Sequence, residues 1–261
     1  MRMPPPDIDV DRPSAARVYD YVLGGRDNYA VDRQAAEQLF EIAPEIRDTA
    51  RANRAFLQRA VRHLAGQGIR QFLDLGAGLP TVENTHEVAQ AAADDTRTVY
   101  VDNDPIVLAH GRAFLDLDAQ TSFLPADIRD TSAVVKGAGE QLNLSEPVGL
   151  FFVNVLHLVG DQDDPAGLVA AYTRALAPGS HVVITHVSSD GAGSELRERI
   201  GRVFAGTSAD ARLRTREEIH GMFGELPLLE PGLVDVAAWR PEDGDPPVGE
   251  LRVFAGMARV P

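Results

Sequence analysis

Between residues 70 and 187 the chain repeats one pattern: a short apolar run, a break, then a stretch with helical periodicity. QFLDL leads into ENTHEVAQAAA, TVYVD into DPIVLAHGRAFL, TSFLPAD into TSAVVKGAGEQL, and VGLFFVN into DDPAGLVAAYTRAL; APG then turns the chain into SHVVITHV. Short runs rich in Val, Ile and Phe, bounded by turn residues, read as strands buried on both faces. Strands separated by helix-length segments pair in parallel, because a crossover returns the chain to the same end of the sheet. Asp104 and Asp164 are each followed by proline, which suits a capping residue and a first helical position.

The flanks differ. Residues 1–13 are proline-rich and acidic without periodicity, and are expected to be mobile. The next stretch, AARVYDYVLGGRDNYAVDR, is short on helix signals. A helix follows from Val31, with Val31, Ala35, Leu39, Ala36, Phe40 and Ala43 as its apolar stripe and Pro44 as its stop. A second helix turns Ala52, Phe56, Ala60 and Leu64 inward and Arg51, Arg54, Arg59 and Arg62 outward or onto its margin, ending at Gly66 and Gly68. After the parallel strands come helical stretches near 195–204 and 216–223, the latter with Thr215 and Glu218 as a capping box. LLEPGLVDVAAW and ELRVFAGMA then read as two strands with no helix between them, hence an antiparallel hairpin at the sheet edge. The expected architecture is a doubly wound α/β sheet with a C-terminal antiparallel hairpin and an N-terminal helical cap. It divides into residues 1–66 (mobile segment, lid and cap) and 67–261 (ligand-binding sheet).

Composition limits the function. A net charge of −14 argues against nucleic acid as the main partner, although Arg47, Arg51, Arg54, Arg59 and Arg62 lie close together. No uninterrupted apolar run approaches membrane-spanning length, so the expected location is cytoplasmic. Without cysteine there is no thiol nucleophile and no thiolate metal site. No pair of histidines has metal-ligand spacing, and the acidic run from Asp161 to Asp164 reads as a solvated loop with a helix cap, so no metal is expected.

The first strand runs directly into glycines, in RQFLDLGAGLP. Gly76 and Gly78 let the backbone approach a ligand, and the helix that follows offers unpaired N–H groups. A dinucleotide fingerprint requires a third glycine at position 81, where the chain has Thr81 after Pro80. Asp102 ends the second strand, where an acidic side chain can accept hydrogen bonds from both ribose hydroxyls. NAD and S-adenosylmethionine share that ribose, so Asp102 alone does not choose between them. Asp127, at the end of FLPAD, adds an acceptor where an adenine amino group could lie.

DLGAG, VYVDNDP, PADI, FFVNVLHLV and LAPGSHVVI together resemble the ordered motifs of class I S-adenosylmethionine-dependent methyltransferases, over residues 70–186. More narrowly, RVYDYVLGGRDNYAVDR, RANRAFLQRAV, GLPTVENTHEVA, VYVDNDPIVLAHGRA and PGLVDVAAWRP are similar to an actinobacterial S-adenosyl methyltransferase family without an established acceptor. The resemblance implies a Rossmann-like methyltransferase fold, S-adenosyl-L-methionine as cofactor, and methyl transfer to a small-molecule acceptor. The alternatives are a protein that binds the cofactor without transfer and an NAD-dependent oxidoreductase.

It also implies roles. Gly76 and Gly78 pass close to the methionine and ribose portion, and Asp74 positions the methionine amine. Asp102 holds the ribose, Asn103 flanks the adenine, and Asp127 with the Ile128 N–H reads the adenine edge. Asn154 sits beside the methionine part. His157, after the fourth strand, is the candidate general base toward an acceptor hydroxyl or amine. Class members commonly cover the cofactor with an N-terminal segment. Residues 18–32 have parts for such a lid: Tyr21 for apolar cover, Gly24 for an unusual backbone path, and Arg26 and Asn28 as hydrogen-bond donors.

Overall fold

The computed structural model describes residues 8–81, 83–115, 119–191, 193–205, 211–244 and 251–261. Five strands supply the parallel core: β1 (Gln71–Leu75), β2 (Arg97–Asp102), β3 (Thr121–Pro125), β4 (Gly149–Val153) and β5 (His181–Val187). Two more complete a seven-stranded sheet: β6 (Val234–Asp235) and β7 (Val253–Arg259), in the order β3-β2-β1-β4-β5-β7-β6. β7 runs antiparallel to β5 from the His181–Arg259 pair to the Val187–Val253 pair, and the two-residue β6 pairs with its outer side. The expected terminal hairpin is therefore present, with most of LLEPGLVDVAAW outside a strand. Part of its connecting loop, residues 245–250, lies outside the described residues.

Three helices precede the sheet: α1 (Ala15–Leu23), α2 (Ala30–Ile42) and α3 (Ile46–Gly66). The crossovers carry α4 (Thr85–Ala92), α5 (Pro105–Leu115), α6 (Thr131–Ala138) and α7 (Pro165–Arg174); α8 (Ser194–Ala205) and α9 (Arg216–Gly221) lie between β5 and β6. Both expected Asp-Pro starts cap as read. Asp104 accepts the Ile106 N–H at 3.0 Å, and Asp164 accepts that of Gly167 at 3.0 Å. Thr215 and Glu218 form the expected capping box of α9.

The strand alternation divides the core between the two sheet faces. Leu73, Leu75, Val99, Leu150, Phe152 and Ile184 pack with α6, α7 and α9. Phe72, Phe151, Val183 and Met257 face α3 and α4, where Ala52, Phe56, Ala60 and Leu64 are buried as their spacing predicts. This second core runs through residue 66 without a break, so α3 belongs to the sheet's own layer as much as to a cap. Trp239 closes it edge-on against Phe56, with ring centroids 5.2 Å apart.

Three sequence expectations are corrected here. α1 occupies a stretch that reads as irregular: Ser14 caps its start, and the Gly24 N–H closes its end on Asp20 and Tyr21 carbonyls. The sequence hides it because its buried face includes Arg17 and Asp20 beside Val18 and Val22. Arg59 does not lie on the outer face. It is buried and donates to the carbonyls of Trp239 at 3.0 Å and Val236 at 2.6 Å. Residues 8–13 are held in place, because the Arg17 guanidinium donates to the Asp9 carbonyl at 2.8 Å and to that of Arg12 at 2.5 Å. Residues 1–7 lie outside the described residues.

Candidate active site

The carboxyl ends of the parallel strands, where an open α/β sheet takes its ligand, form the floor of a cavity of about 710 Å³. Residues 8–19 and Val22, with α2 and α3, form its roof. Asp74, Gly76, Gly78, Asp102, Asn103, Asp127, Ile128, Asn154 and His157 all line it. The glycine turn after β1 is left-handed at both positions, φ 69° at Gly76 and 67° at Gly78. A Cβ on Gly76 would lie 2.2 Å from Val155 Cγ2, so the loops after β1 and β4 touch only because residue 76 has no side chain. A Cβ on Gly78 would meet nothing within 4 Å, which leaves its backbone open to an occupant of the cavity.

Asp102 anchors that turn. Its carboxylate accepts the Gly78 N–H at 2.9 Å on one oxygen and the Asp104 N–H at 2.9 Å on the other. Burial raises its pKa, partly offset by these hydrogen bonds. Asp74 interrupts the apolar run of β1 on the α3 face, where it is buried and accepts the Thr85 hydroxyl at 2.7 Å. Burial pushes it up to about 6, against the lowering influence of Thr85 and the Arg54 guanidinium. On the next loop, Arg129 grips Asp127 through Nε at 3.0 Å and Nη2 at 2.6 Å, and Asn103 donates to it at 3.3 Å. The Arg129 hydrogen bonds hold the Asp127 carboxyl below its ordinary range. Ile128 is tied down through its carbonyl, which accepts the Tyr172 hydroxyl at 2.7 Å. Asn154 has a left-handed backbone, φ 55°, and its N–H donates to Thr185 Oγ1 at 2.9 Å.

His157 lies in a 3-10 turn after β4 and is buried. Burial, the neighbouring His186 ring at 6.0 Å and the Arg214 guanidinium lower its pKa to about 3. Among the described residues no group of His, Asp and Glu has the arrangement to hold a metal ion.

Tyr21, Gly24, Arg26 and Asn28 do not reach this cavity. The Tyr21 hydroxyl donates to Glu37 at 2.7 Å, Gly24 ends α1, Arg26 is exposed, and Asn28 donates to Asp20 at 2.8 Å. The roof over the site is the preceding segment together with the start of the expected lid, where Val18, Tyr19 and Val22 line the cavity. Ile8, Ala16 and Tyr29 pack on Leu79, Ile106 and Val107 beside the glycine turn, and the Ser14 hydroxyl donates to Asp104. Arg17 and Asp32, both buried, pair at 2.9 Å, and Asp32 also accepts the N–H groups of Ser14 at 3.0 Å and Tyr29 at 2.8 Å. Sequence reading also missed two neighbours on α3. Arg54 lines the cavity with a buried Nε that has no hydrogen-bond partner among the described residues, and buried Asn53 leaves its Oδ1 in the same condition. Their only sequence signal is that two polar residues interrupt the apolar stripe side by side, which periodicity alone assigns to solvent.

This floor and roof agree with the whole-chain comparisons. Residues 1–261 match the family described as S-adenosyl methyltransferase, and the chain belongs to it. A proposed methyltransferase from Thermobifida fusca superposes with a TM-score of 0.92 at 41% identity, over 100% of this chain and 99% of that one. A DUF574 family protein from Streptomyces avermitilis gives 0.90 at 36% identity, over 97% and 99%. An O-methyltransferase family protein from Burkholderia thailandensis, 12% identical, shares the fold with a TM-score of 0.54, over 92% of this chain and 64% of that one. No curated protein matches the chain. The protein is an S-adenosylmethionine-dependent methyltransferase with a Rossmann-like sheet. No helix among its described residues is long and apolar enough to cross a membrane.

Proposed function

We propose that the cavity binds S-adenosylmethionine over the β1–β4 loops and that methyl transfer goes to a small-molecule acceptor beside it. The observation that carries this reading is the convergence of Asp74, Asp102 and the Gly76–Gly78 turn under one roof. When bound, the cofactor supplies a methyl group on a sulfonium, for in-line displacement by the acceptor. Asp102 accepts from the ribose hydroxyls, and its two backbone donors keep the carboxylate oriented. Asp74 receives the methionine ammonium, and the guanidinium of Arg54, which lines the cavity near it, receives the methionine carboxylate. Asn103, Asp127 and Ile128 border the adenine, and Asn154 borders the methionine part. The roof excludes water and aligns the reactants, which is most of what this reaction asks of a protein.

His157 lies on the cavity wall as the candidate acceptor-side group. Its lowered pKa keeps the imidazole neutral at pH 7 and makes it a weak base, which favours acceptors that give up their proton easily. The net charge of −14 supports a small molecule over a nucleic acid. Calorimetry with S-adenosylhomocysteine and NAD tests the cofactor site: binding of the first and not the second is expected. His157→Ala should lower turnover while leaving S-adenosylhomocysteine affinity within about twofold. An equal loss of both would make His157 a scaffold residue.

A further inference from the structure

Asp74 has polar neighbours on its own face of the sheet. In the parallel register of β1 and β2 it lies beside Tyr100, while Leu73, Leu75, Val99 and Val101 point into the core on the opposite face. The first turn of α4 covers the Asp74 side. Its capping box, Asn84 with Glu87, fixes where that turn begins, and Thr85 follows directly. Thr85 is 1% exposed, and its hydroxyl donates to Asp74 Oδ2 at 2.7 Å. The buried Tyr100 hydroxyl also bonds Thr85 and accepts the His86 N–H at 2.8 Å. The Tyr100 ring is stacked on Phe123 with centroids 4.8 Å apart, so Thr85 is held against a fixed partner.

Asp74 lines the cavity and Thr85 does not. Among the described residues Thr85 supplies the one hydrogen bond that the Asp74 carboxylate accepts, and it takes one oxygen. The charged and titratable groups facing Asp74 are Arg54 from α3 and Asp102 and Tyr100 from β2; His86 of α4 meets Tyr100 instead. A cation in the place of Thr85 would neutralise the carboxylate and compete with an incoming ammonium. A neutral hydroxyl orients the carboxylate and favours its ionised form without that competition.

We infer that Thr85 is a positioning residue for the cofactor: its hydroxyl holds one oxygen of Asp74 and keeps the carboxylate ionised, so that the other oxygen receives the methionine ammonium. This rests on the reading of Asp74 as the ammonium site. Thr85 acts through Asp74 and never touches the ligand. Its removal therefore changes the pH at which Asp74 is ready to bind, not the shape of the cavity.

The test is calorimetry of S-adenosylhomocysteine on the full chain, from about pH 5.5 to about pH 8.5, with Thr85→Val, Thr85→Ser and Asp74→Asn. Thr85→Val keeps the volume of the side chain and removes the donor. The pH below which affinity falls, about 6 in the parent protein, should rise by about one unit or more, the effect of losing one hydrogen bond to a charged group. Affinity at pH 7 should drop by roughly two- to tenfold and return to within about threefold of the parent at pH 8.5. Thr85→Ser, which keeps the hydroxyl, should restore the parent profile. If Thr85→Val does not fold, Thr85→Ala carries the same expectation. An unshifted profile in a folded variant, a loss that is equal at every pH, or a Thr85→Ser protein as impaired as Thr85→Val would each overturn the inference. If Asp74→Asn binds as tightly as the parent at pH 7, the reading of Asp74 fails and the role of Thr85 falls with it. An unshifted Thr85→Val profile beside a weakened Asp74→Asn overturns Thr85 alone.

Discussion

The floor of the cavity and its roof are built on different principles. On the floor, Asp74 and Asp102 sit at the ends of β1 and β2 and Asp127 two residues past β3, and the parallel register brings those ends together. Their partners come from the same or the adjoining loops: the Gly78 and Asp104 N–H groups for Asp102, Thr85 for Asp74, Arg129 and Asn103 for Asp127. In the roof, position depends on polar groups that tie the first helices to each other and to distant parts of the chain. Arg17 pairs with Asp32, Ser14 with Asp104, and Glu45 accepts the Leu251 N–H at 3.0 Å. A floor of this kind tolerates the loss of a side chain and loses ligand; a roof of this kind loses its shape.

The largest effect should therefore fall on the roof. Arg17→Ala leaves the buried Asp32 carboxylate without its cation, with only the Ser14 and Tyr29 N–H groups to stabilise it, which costs up to about 3–5 kcal/mol. A drop in melting temperature with fast hydrogen exchange over residues 8–32 is expected; an unchanged protein would mean that the pair holds nothing. Asp102→Ala should do the reverse. It should weaken S-adenosylhomocysteine by about 1.5–3 kcal/mol, or roughly ten- to a hundredfold, in a protein that still folds. Calorimetry on the folded variant checks it, and an unchanged affinity would remove Asp102 from the site.

A smaller effect concerns pH. Asp74 has a folded pKa raised to about 6 by burial, so its charged form is disfavoured in the free protein. The sign follows: this group costs stability at neutral pH, and the cost is relieved as pH falls through 6 toward its ordinary value near 3.8. Ligand binding should run the other way, because an ammonium needs the carboxylate ionised. S-adenosylhomocysteine affinity should be level above about pH 7 and fall by up to about tenfold per unit below 6. Asp74→Asn should flatten that dependence. The smallest effect is expected of Arg26→Ala, which lies outside the cavity: affinity within about twofold by the same calorimetry, since exposed substitutions stay within about 0.5 kcal/mol.

Legibility in the sequence follows the same division. The parallel strands and crossover helices could be read because each has one period and one apolar face. The floor residues could be placed beside one another because each falls at or just past the end of a strand that the apolar runs mark, as Asp102 does in VYVDNDP. In the roof, α2 and α3 could be read from their apolar stripes, but α1 and the buried polar contacts could not. Periodicity assigns a polar residue to solvent, yet Arg17, Asp32, Asn53 and Arg59 are buried through partners that only the fold brings near. Tyr21, Arg26 and Asn28 have the chemistry expected of a lid, but the turn after α1 directs it to Glu37, solvent and Asp20.

The antiparallel β7 has a consequence for the order in which the molecule assembles. A chain made from its N-terminus completes α3 and β5 well before residues 253–259 appear. Until then β5 presents an open hydrogen-bonding edge, the kind of edge that invites pairing with a second chain. Arg59 waits for the carbonyls of Val236 and Trp239, and Glu45 and Thr49 wait for Leu251. The helices that roof the cavity are thus synthesised first and fixed last. Contacts this distant slow folding, and the final strand to arrive on the sheet is also the one that lets the first helices settle.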